Sequence, residues 1–376
     1  MRVCHITSLH PPLDVRIFHK ECRTLTKAGY DVTLLAQADW RERAVNGIRI
    51  IGLPRITKRY QRPRVWRHIV QEVNGLKPDL VHFHDPELLL VAPLLRPARL
   101  IYDCQEPFAE TVLVRRWIPR LLRYPTSRLV AFLEPLLARR TDAVVVTEDS
   151  HIDRFREGNR PRLERGRPII VLYNYPLLSS LDFVRRSNGR TLLHVGILSE
   201  GRGSTTMIEA MSLLVRRMAG ARLILVGSFD SPEDEVEVRR LIADHGLERA
   251  VELVGWVPFS DLPRWFAQAD VGLVPWRSAE EFPPQIIPTK LFEYMGSRLP
   301  IVASNRPEIA RFMERLDCGL LVEPGDSQGF AEAIEYLLTH PAAAKEMGER
   351  GRRAVEETYH WGSEGEKLLA LYRQMA

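Results

Sequence analysis

Apolar runs of strand length alternate with longer stretches of helical period from one end of the chain to the other. A short, continuous apolar run fits a strand buried on both faces, and regular alternation with helices implies parallel strands joined by crossover helices. In the first half the pattern predicts strands at VCHIT, DVTLLA, IRIIGL, DLVHF, ARLIYD, DAVVVT and PIIVLY. It breaks over residues 174–190, where Pro176, Ser179, Ser180, Ser187, Asn188 and Gly189 read as a linker. The second half restarts with TLLHVG, ARLILVG, VELVGW, DVGLVPW, LPIVAS and GLLVEP. The expectation is an α/β chain of two Rossmann-like domains, 1–183 and 184–360. A last helix over 361–376 follows an already complete second domain and is expected to pack back on the first. No low-complexity tract or short-period repeat interrupts this plan.

The 376 residues suit two domains, and the 45% hydrophobic content supports full cores. No apolar run reaches membrane-spanning length and no leader-like start is present, so a cytoplasmic protein is the default expectation. Cys4, Cys22, Cys104 and Cys318 are scattered, which favours buried free thiols over disulfides, a zinc site or a catalytic thiol. The net charge of +5 is uneven: residues 1–183 carry 30 Lys/Arg against 20 Asp/Glu. Part of the excess lies in Arg55, Lys58, Arg59, Arg62, Arg64 and Arg67, and part between Arg115 and Arg140, where Arg116, Arg120, Arg123, Arg128 and Arg139 also fall. The second segment interleaves its charges with Trp117, Ile118, Leu121, Leu122, Leu129 and Phe132, a composition suited to an anionic membrane surface. Pro119, Pro125 and Pro135 are expected to break it into pieces, and a solvated helix packed on a sheet accounts for the same apolar positions.

Candidate chemistry concentrates at residues 288–304, PTKLFEYMGSRLPIVAS. Pro288 suits the first turn of a helix, which leaves the N–H groups of Thr289, Lys290 and Leu291 to favour an anion such as a phosphate. Lys290 adds a full charge, and Glu293 offers a carboxylate to ribose hydroxyls. An ordinary surface helix with a Lys290–Glu293 pair is the alternative. Neither opening strand is followed by the dinucleotide glycine fingerprint. The second-domain strand instead runs into the glycine-rich loop Gly196, Ile197, Leu198, Ser199, Glu200, Gly201, Arg202, Gly203. Arg202 there precedes a helix and is placed to take a phosphate bidentately. Arg202 and Lys290 both fall at carboxyl ends of strands, where open α/β sheets bind ligands. His82 and His84 alternate onto one strand face but lack a third ligand, so no metal is expected. Asp85 before Pro86 also reads as a plain helix cap.

The second half resembles retaining glycosyltransferases of the GT-B fold, specifically glycosyltransferase family 4. The resemblance runs through HVGILSEGRGS, LILVG, VELVGWV, DLPRWFAQADVGLVPW, PTKLFEYMGSRLPIVAS, CGLLVEPGD and YHWGSEGEKLLALY. The first half matches more loosely, through HPPLDVRIFHKECRTLTKAGYDVTLLA, VHFHDPELL and IYDCQEPFAE. The resemblance implies two Rossmann-like domains facing each other across a cleft. It implies transfer of a hexose-type sugar from a nucleotide diphosphate sugar, UDP or GDP, to a glycan, lipid-linked or small-molecule hydroxyl, without metal or cofactor and with no nucleic-acid partner. Carried over by residue, Arg202 and Lys290 would stabilise the leaving diphosphate and Glu293 would bind ribose. Thr289 would lend its N–H to the distal phosphate, and Gly196 would lie beside the donor. Backbone groups around Gly255, Trp256 and Val257 would hold the base. The family commonly carries a glutamate where Gln285 stands and frequently a histidine where Gln105 stands, so sugar contact and acid/base chemistry both depart from its pattern here. The acceptor-side loops map onto His10, Asp14, Arg16, His84, Asp85, Gln105 and Glu106. An epimerase of the same fold and a catalytically silent binding protein are the alternatives.

Overall fold

The structure, a computed structural model, describes residues 1–114, 118–157, 167–277 and 287–376. The chain divides into two compact units, Met1–Asn174 with Gly362–Ala376, and Tyr175–Trp361.

The first unit is built on eight strands: β1 (Arg2–Ile6), β2 (Asp31–Gln37), β3 (Glu42–Val45), β4 (Ile48–Leu53), β5 (Leu80–Phe83), β6 (Arg99–Cys104), β7 (Ala143–Val146) and β8 (Ile169–Val171). Their order is β3-β4-β2-β1-β5-β6-β7-β8. Every pair is parallel except β3 with β4. The β3 edge strand is too polar and exposed to register as an apolar run. Its signal was the turn: Asn46 and Gly47 both take positive φ, 52° and 79°, as a two-residue hairpin turn requires. β1 sits centrally, with β2 on one side and β5 on the other, so the chain reverses direction across the sheet between β1 and β5.

The second unit has β9 (Thr191–Val195), β10 (Arg222–Val226), β11 (Val251–Gly255), β12 (Val271–Val274), β13 (Ile301–Ser304) and β14 (Gly319–Val322). They run parallel in the order β11-β10-β9-β12-β13-β14, the doubly wound pattern whose switch point falls between β9 and β12. Its core packs Leu192, Leu223 and Leu273 of the sheet against Ile208, Met211 and Leu214 of the helix Ser204–Arg217.

Residues 175–183, read as linker, pack with the second unit. Tyr175 meets Phe292 edge-on at 4.8 Å, Phe183 stacks on Phe266 at 6.3 Å, and Arg352 Nη1 donates to the Leu181 carbonyl at 3.3 Å. The unit boundary therefore lies at 174/175 rather than at 183. The last helix is Trp361–Met375, and from Gly362 onward it belongs to the first unit. There Glu364 Oε2 accepts from the Tyr173 N–H at 3.0 Å and Tyr372 is fully buried.

The Arg-rich segment also departs from expectation. Arg120–Ala138 is one continuous helix with Pro125 and Pro135 inside it and Pro119 at its N-cap. Each internal proline forfeits one ladder bond, and packing along one face, through Ser127, Glu134 and Ala138, keeps the helix intact. Arg115, Arg116 and Trp117 lie outside the described residues.

Candidate active site

Three loops meet at the switch point of the second sheet. β9 ends in Val195 and turns through Gly196, whose φ of 131° suits only glycine. A Cβ at Gly196 would stand 2.9 Å from the Lys290 Nζ, so the missing side chain is what lets the lysine side chain reach the strand end. The loop continues past Arg202 to Gly203, which caps the helix Ser204–Arg217 at φ 76°. There a Cβ would collide with the Pro275 carbonyl at 1.8 Å. Arg277 N–H donates to the Gly201 carbonyl at 2.9 Å and fastens this loop to the chain leaving β12.

The helix bearing Lys290 spans Thr289–Gly296 with Pro288 at its N-cap, one position earlier than the first-turn role expected. The Leu291 N–H donates to the Pro288 carbonyl at 3.0 Å, so it is not among the groups left for an anion. Thr289 is exposed and Glu293 half-buried. Lys290 does not sit on an ordinary surface helix, the alternative the spacing left open. It is 6% exposed, and its Nζ lies 3.1 Å from Nε2 of the fully buried His194 on β9. Burial first, then Arg202, pushes the Lys290 pKa well below its ordinary value, with Glu293 pulling the other way. Arg202 and Arg306 both place guanidinium carbons near the buried Trp276 ring, 5.9 and 5.5 Å from its centroid. Burial lowers the Arg306 pKa. The result is a basic, largely desolvated recess at the carboxyl ends of β9, β12 and β13, able to take an anion with little solvent competition.

A cavity of about 560 Å³ lies beside it at the ends of β10 and β11, lined by Gly227, Ser228, Asp230, Glu235, Gly255 and Trp256 among others. Gly255 turns at φ 79° and Trp256 is 72% exposed, so an aromatic ring stands open to solvent at the cavity's edge. Val257 follows, half-buried. Gln285 lies outside the described residues.

The first unit gathers its own polar groups at the corresponding switch point between β1 and β5. Asp85 heads the short helix Pro86–Leu90, but its side chain makes no capping bond there. It accepts instead from Thr7 Oγ1 at 3.0 Å and from Ser8 N and Oγ at 2.5 and 3.2 Å, tying the loop after β1 to the loop after β5. Asp14 caps the π-helix Val15–Cys22 by accepting from Arg16 N and Ile17 N, both at 2.9 Å. His10 is held between Asp14 at 3.5 Å and Asp85 at 3.8 Å. Burial lowers its pKa, and these two carboxylates with Glu106 outweigh that and raise it. Glu106 itself is exposed.

Arg16, expected to face an acceptor, points inward and is 3% exposed. Its Nη2 sits 3.2 Å from Asp103 Oδ2, its Nε 3.0 Å from Glu21 Oε1, and its Nη1 donates to the Leu172 carbonyl at 2.9 Å. The histidines do not lack partners as the spacing suggested: ligand-type atoms of Glu21, His82, His84 and Asp103 lie within 4.8 Å of one another, all buried. The hydrogen bonds there have a direction. An ionised Asp103 only accepts, so His84 Nδ1, 3.2 Å away, carries a proton. That leaves His84 Nε2 to accept from His5 Nδ1 at 3.0 Å, His5 Nε2 to accept from Tyr372 O–H at 3.2 Å, and Tyr372 to accept from His82 Nδ1 at 2.9 Å. A metal there would compete for the His84 Nε2 lone pair that accepts from His5 and would stand against the Arg16 guanidinium, so the donor set fits a proton-ordered network better than a cation. Gln105 Nε2 lies 3.1 Å from the same His84 Nδ1; both nitrogens carry protons in this arrangement, so Gln105 stands beside the network without a hydrogen bond to that nitrogen. Burial drives the His5 and His82 pKa values well down. Glu21 is driven well up, by burial and then by Asp103. For Asp103 burial opposes ionisation, but Arg16 and His84 outweigh it and its pKa falls.

The sequence placed Arg202 and Lys290 at strand ends of one sheet, as the structure does, but gave no sign of His194, Glu21 and Trp276 beside the candidate groups. A lone histidine inside TLLHVG and a glutamate inside a helical run carry no spacing signal, and only the three-dimensional register brings them to their partners.

Two Rossmann-like units, the second with a desolvated basic recess at its switch point, are the GT-B architecture. The chain belongs to the glycosyltransferases of group 1 with a 4-like N-terminal domain: residues 189–340 match the family described as glycosyl transferases group 1, and residues 15–169 the glycosyl transferase 4-like domain. Among curated relatives, the amylovoran biosynthesis glycosyltransferase AmsK of Erwinia amylovora is 28% identical over 185 residues, 49% of this chain and 45% of its own. The alpha-D-kanosaminyltransferase of Streptomyces kanamyceticus is 23% identical over 271 residues, 68% of each chain. The chain thus spans between about half and two thirds of these relatives. Among solved structures, sucrose-phosphate synthase from Thermosynechococcus elongatus superposes with a TM-score of 0.76 at 20% identity, covering 100% of this chain and 98% of its own. Anabaena HepE, solved with UDP-glucose, superposes with a TM-score of 0.74 at 15% identity and covers 100% of both chains. These two likenesses establish the fold. Among the described residues no helix is long and apolar enough to cross a membrane.

Proposed function

We propose that this glycosyltransferase moves a hexose-type sugar from a nucleoside diphosphate sugar, with UDP ahead of GDP, to an acceptor hydroxyl with retention of anomeric configuration. The observation that carries the reading is the pairing of Arg202 with the buried Lys290 at the switch point of the second sheet. Such a recess suits a group that arrives with two negative charges and leaves with more. The solved complex of Anabaena HepE with UDP-glucose, on the same fold, supports UDP as the carrier.

In the proposed reaction the bond between the anomeric carbon and the diphosphate oxygen breaks while the acceptor oxygen bonds to the same carbon from the same face. The acceptor's proton passes to the departing phosphate. Arg202 and Lys290 take up the charge that develops on the leaving group, and preorganised charge of this kind is typically the largest catalytic contribution. With two side-chain cations in that role, the reaction requires no divalent ion. Glu293 takes the ribose, Gly255 and Trp256 the base, and the Asp85–His10 loops of the first unit the acceptor. For the acceptor, we favour a lipid-linked glycan at an anionic membrane surface. What supports it is the helix Arg120–Ala138, where exposed Leu121, Tyr124 and Phe132 accompany exposed Arg120 and Arg128.

A thermal-shift panel of nucleoside diphosphates and their sugars tests the reading. A correct donor at a hundred times its Kd stabilises the fold by about 2.7 kcal/mol. Arg202→Ala and Lys290→Ala are each expected to reduce that shift severalfold and to lower turnover by orders of magnitude. A panel without any shift, or a shift left unchanged by both substitutions, overturns the assignment.

A further inference from the structure

His194 lies at the centre of the second sheet, fully buried, with a partner on each ring nitrogen. Its Nδ1 is 3.1 Å from the Leu273 carbonyl and its Nε2 is 3.1 Å from Lys290 Nζ. A carbonyl only accepts, so the ring proton is on Nδ1 and Nε2 presents a lone pair to Lys290. The imidazole is kept neutral because burial, Lys290 and Arg202 all oppose a second proton. Among the described residues, the groups facing Lys290 are His194 from β9, Arg202 from the loop ahead of the helix Ser204–Arg217, and Glu293 from its own helix. Beside them the Tyr294 hydroxyl is engaged with Val195 N at 2.9 Å, and burial raises its pKa. Gly196 keeps the space next to Nζ open. Of the charged groups only Glu293 favours an ammonium, and burial with Arg202 outweighs it and holds the side chain toward its neutral amine.

We propose that His194 is the positioning residue of the diphosphate site, holding Lys290 Nζ through its Nε2 lone pair, and that a nucleoside diphosphate entering the site delivers the missing counter-charge, so that Lys290 takes up a proton from solvent as the ligand binds. The balance is simple: amine plus one proton gives ammonium, and the diphosphate supplies the negative charge that offsets the burial. The inference rests on the nucleotide-sugar reading above and deepens it. Linkage fixes the sign. If the complex holds one more proton than the free protein, affinity rises as pH falls, by up to about tenfold per pH unit while the free amine is neutral and the bound one charged.

Calorimetric titration of the full chain with UDP and with GDP, near pH 8 in two buffers of different ionisation enthalpy, counts the protons. At that pH the terminal phosphate of either probe is already ionised and contributes little. Uptake of between about half and one proton per nucleotide is expected. Lys290→Met is expected to remove the uptake while residual binding persists through Arg202. His194→Leu is expected to weaken UDP binding about tenfold, the scale of one hydrogen bond to a charged group, with His194→Gln less affected. Native protein that binds UDP without proton uptake overturns the inference and leaves the functional reading standing. Uptake that persists in Lys290→Met, or full affinity in His194→Leu, also overturns it. Absence of binding to either nucleotide removes inference and reading together.

Discussion

Arg16, Glu21 and Asp103 put two carboxyl groups and one guanidinium in a buried place. One cation balances one anion, so one of the carboxyls must be neutral. Asp103 has the stronger claim to the charge, because Arg16 and the His84 Nδ1–H both favour its ionised form. Glu21 is then the acid, its pKa raised by burial and by Asp103 itself. Glu21→Gln, which keeps shape and neutrality, is expected to change the unfolding free energy by less than about 1 kcal/mol. Asp103→Asn strips Arg16 of its counter-charge and is expected to cost about 3–5 kcal/mol. Urea denaturation of both variants decides the matter: the reverse ranking would put the proton on Asp103. The same cluster sets a pH dependence. His5 and His82 bind protons more weakly folded than unfolded, so their contribution is intact above the unfolded histidine pKa of about 6.5 and is lost as pH falls below it. None of this was legible in the sequence, where His82 and His84 stood as an incomplete pair and Glu21 carried no signal. By contrast, Arg202 and Lys290 were legible because glycine and proline punctuate the chain beside them. What spacing could not convey was depth: Lys290 reads as a surface charge until its helix is laid against β9.

The strands of both sheets were legible as apolar runs, since parallel strands buried on two faces leave an unmistakable pattern. The antiparallel edge strand β3 escaped because an exposed edge has no apolar face to display, although Asn46–Gly47 announced its turn. The Arg-rich helix escaped for the opposite reason: three prolines argued for breakage, and tertiary packing overrode two of them. That continuity strengthens the membrane reading, because Leu121, Leu122, Tyr124, Leu129 and Phe132 are all exposed on one uninterrupted element, with Leu121 at 92%. Exposed apolar groups amid arginines would gain from both acyl-chain contact and anionic headgroups. Co-sedimentation with phosphatidylserine or phosphatidylglycerol vesicles at low salt is expected to retain the native chain. Leu121→Ser with Phe132→Ser is expected to reduce the bound fraction severalfold while leaving the melting temperature within about a degree, since neither side chain is buried. Equal partition of native and variant chains into the supernatant would assign these residues to an ordinary solvated face.

At the scale of the whole molecule, each unit has its own sheet, its own core and its own switch point, with the proposed diphosphate groups in the second and the proposed acceptor groups in the first. The carboxyl-terminal helix ties the last residues of the chain to the first sheet through one atom in particular. The Tyr372 hydroxyl bonds His82 Nδ1 at 2.9 Å and His5 Nε2 at 3.2 Å. Tyr372→Phe keeps the ring and deletes that bridge, leaving two buried imidazole nitrogens without it at an expected cost of about 2–4 kcal/mol. The loss falls on the first unit. UDP, bound through Arg202 and Lys290, would act on the second. If the two units unfold separately, scanning calorimetry should resolve two transitions, one lowered by Tyr372→Phe and the other raised by UDP, each leaving its neighbour in place. A single transition moved by both perturbations would mean that the units melt as one cooperative body, so that loosening the histidine network weakens the donor site as well.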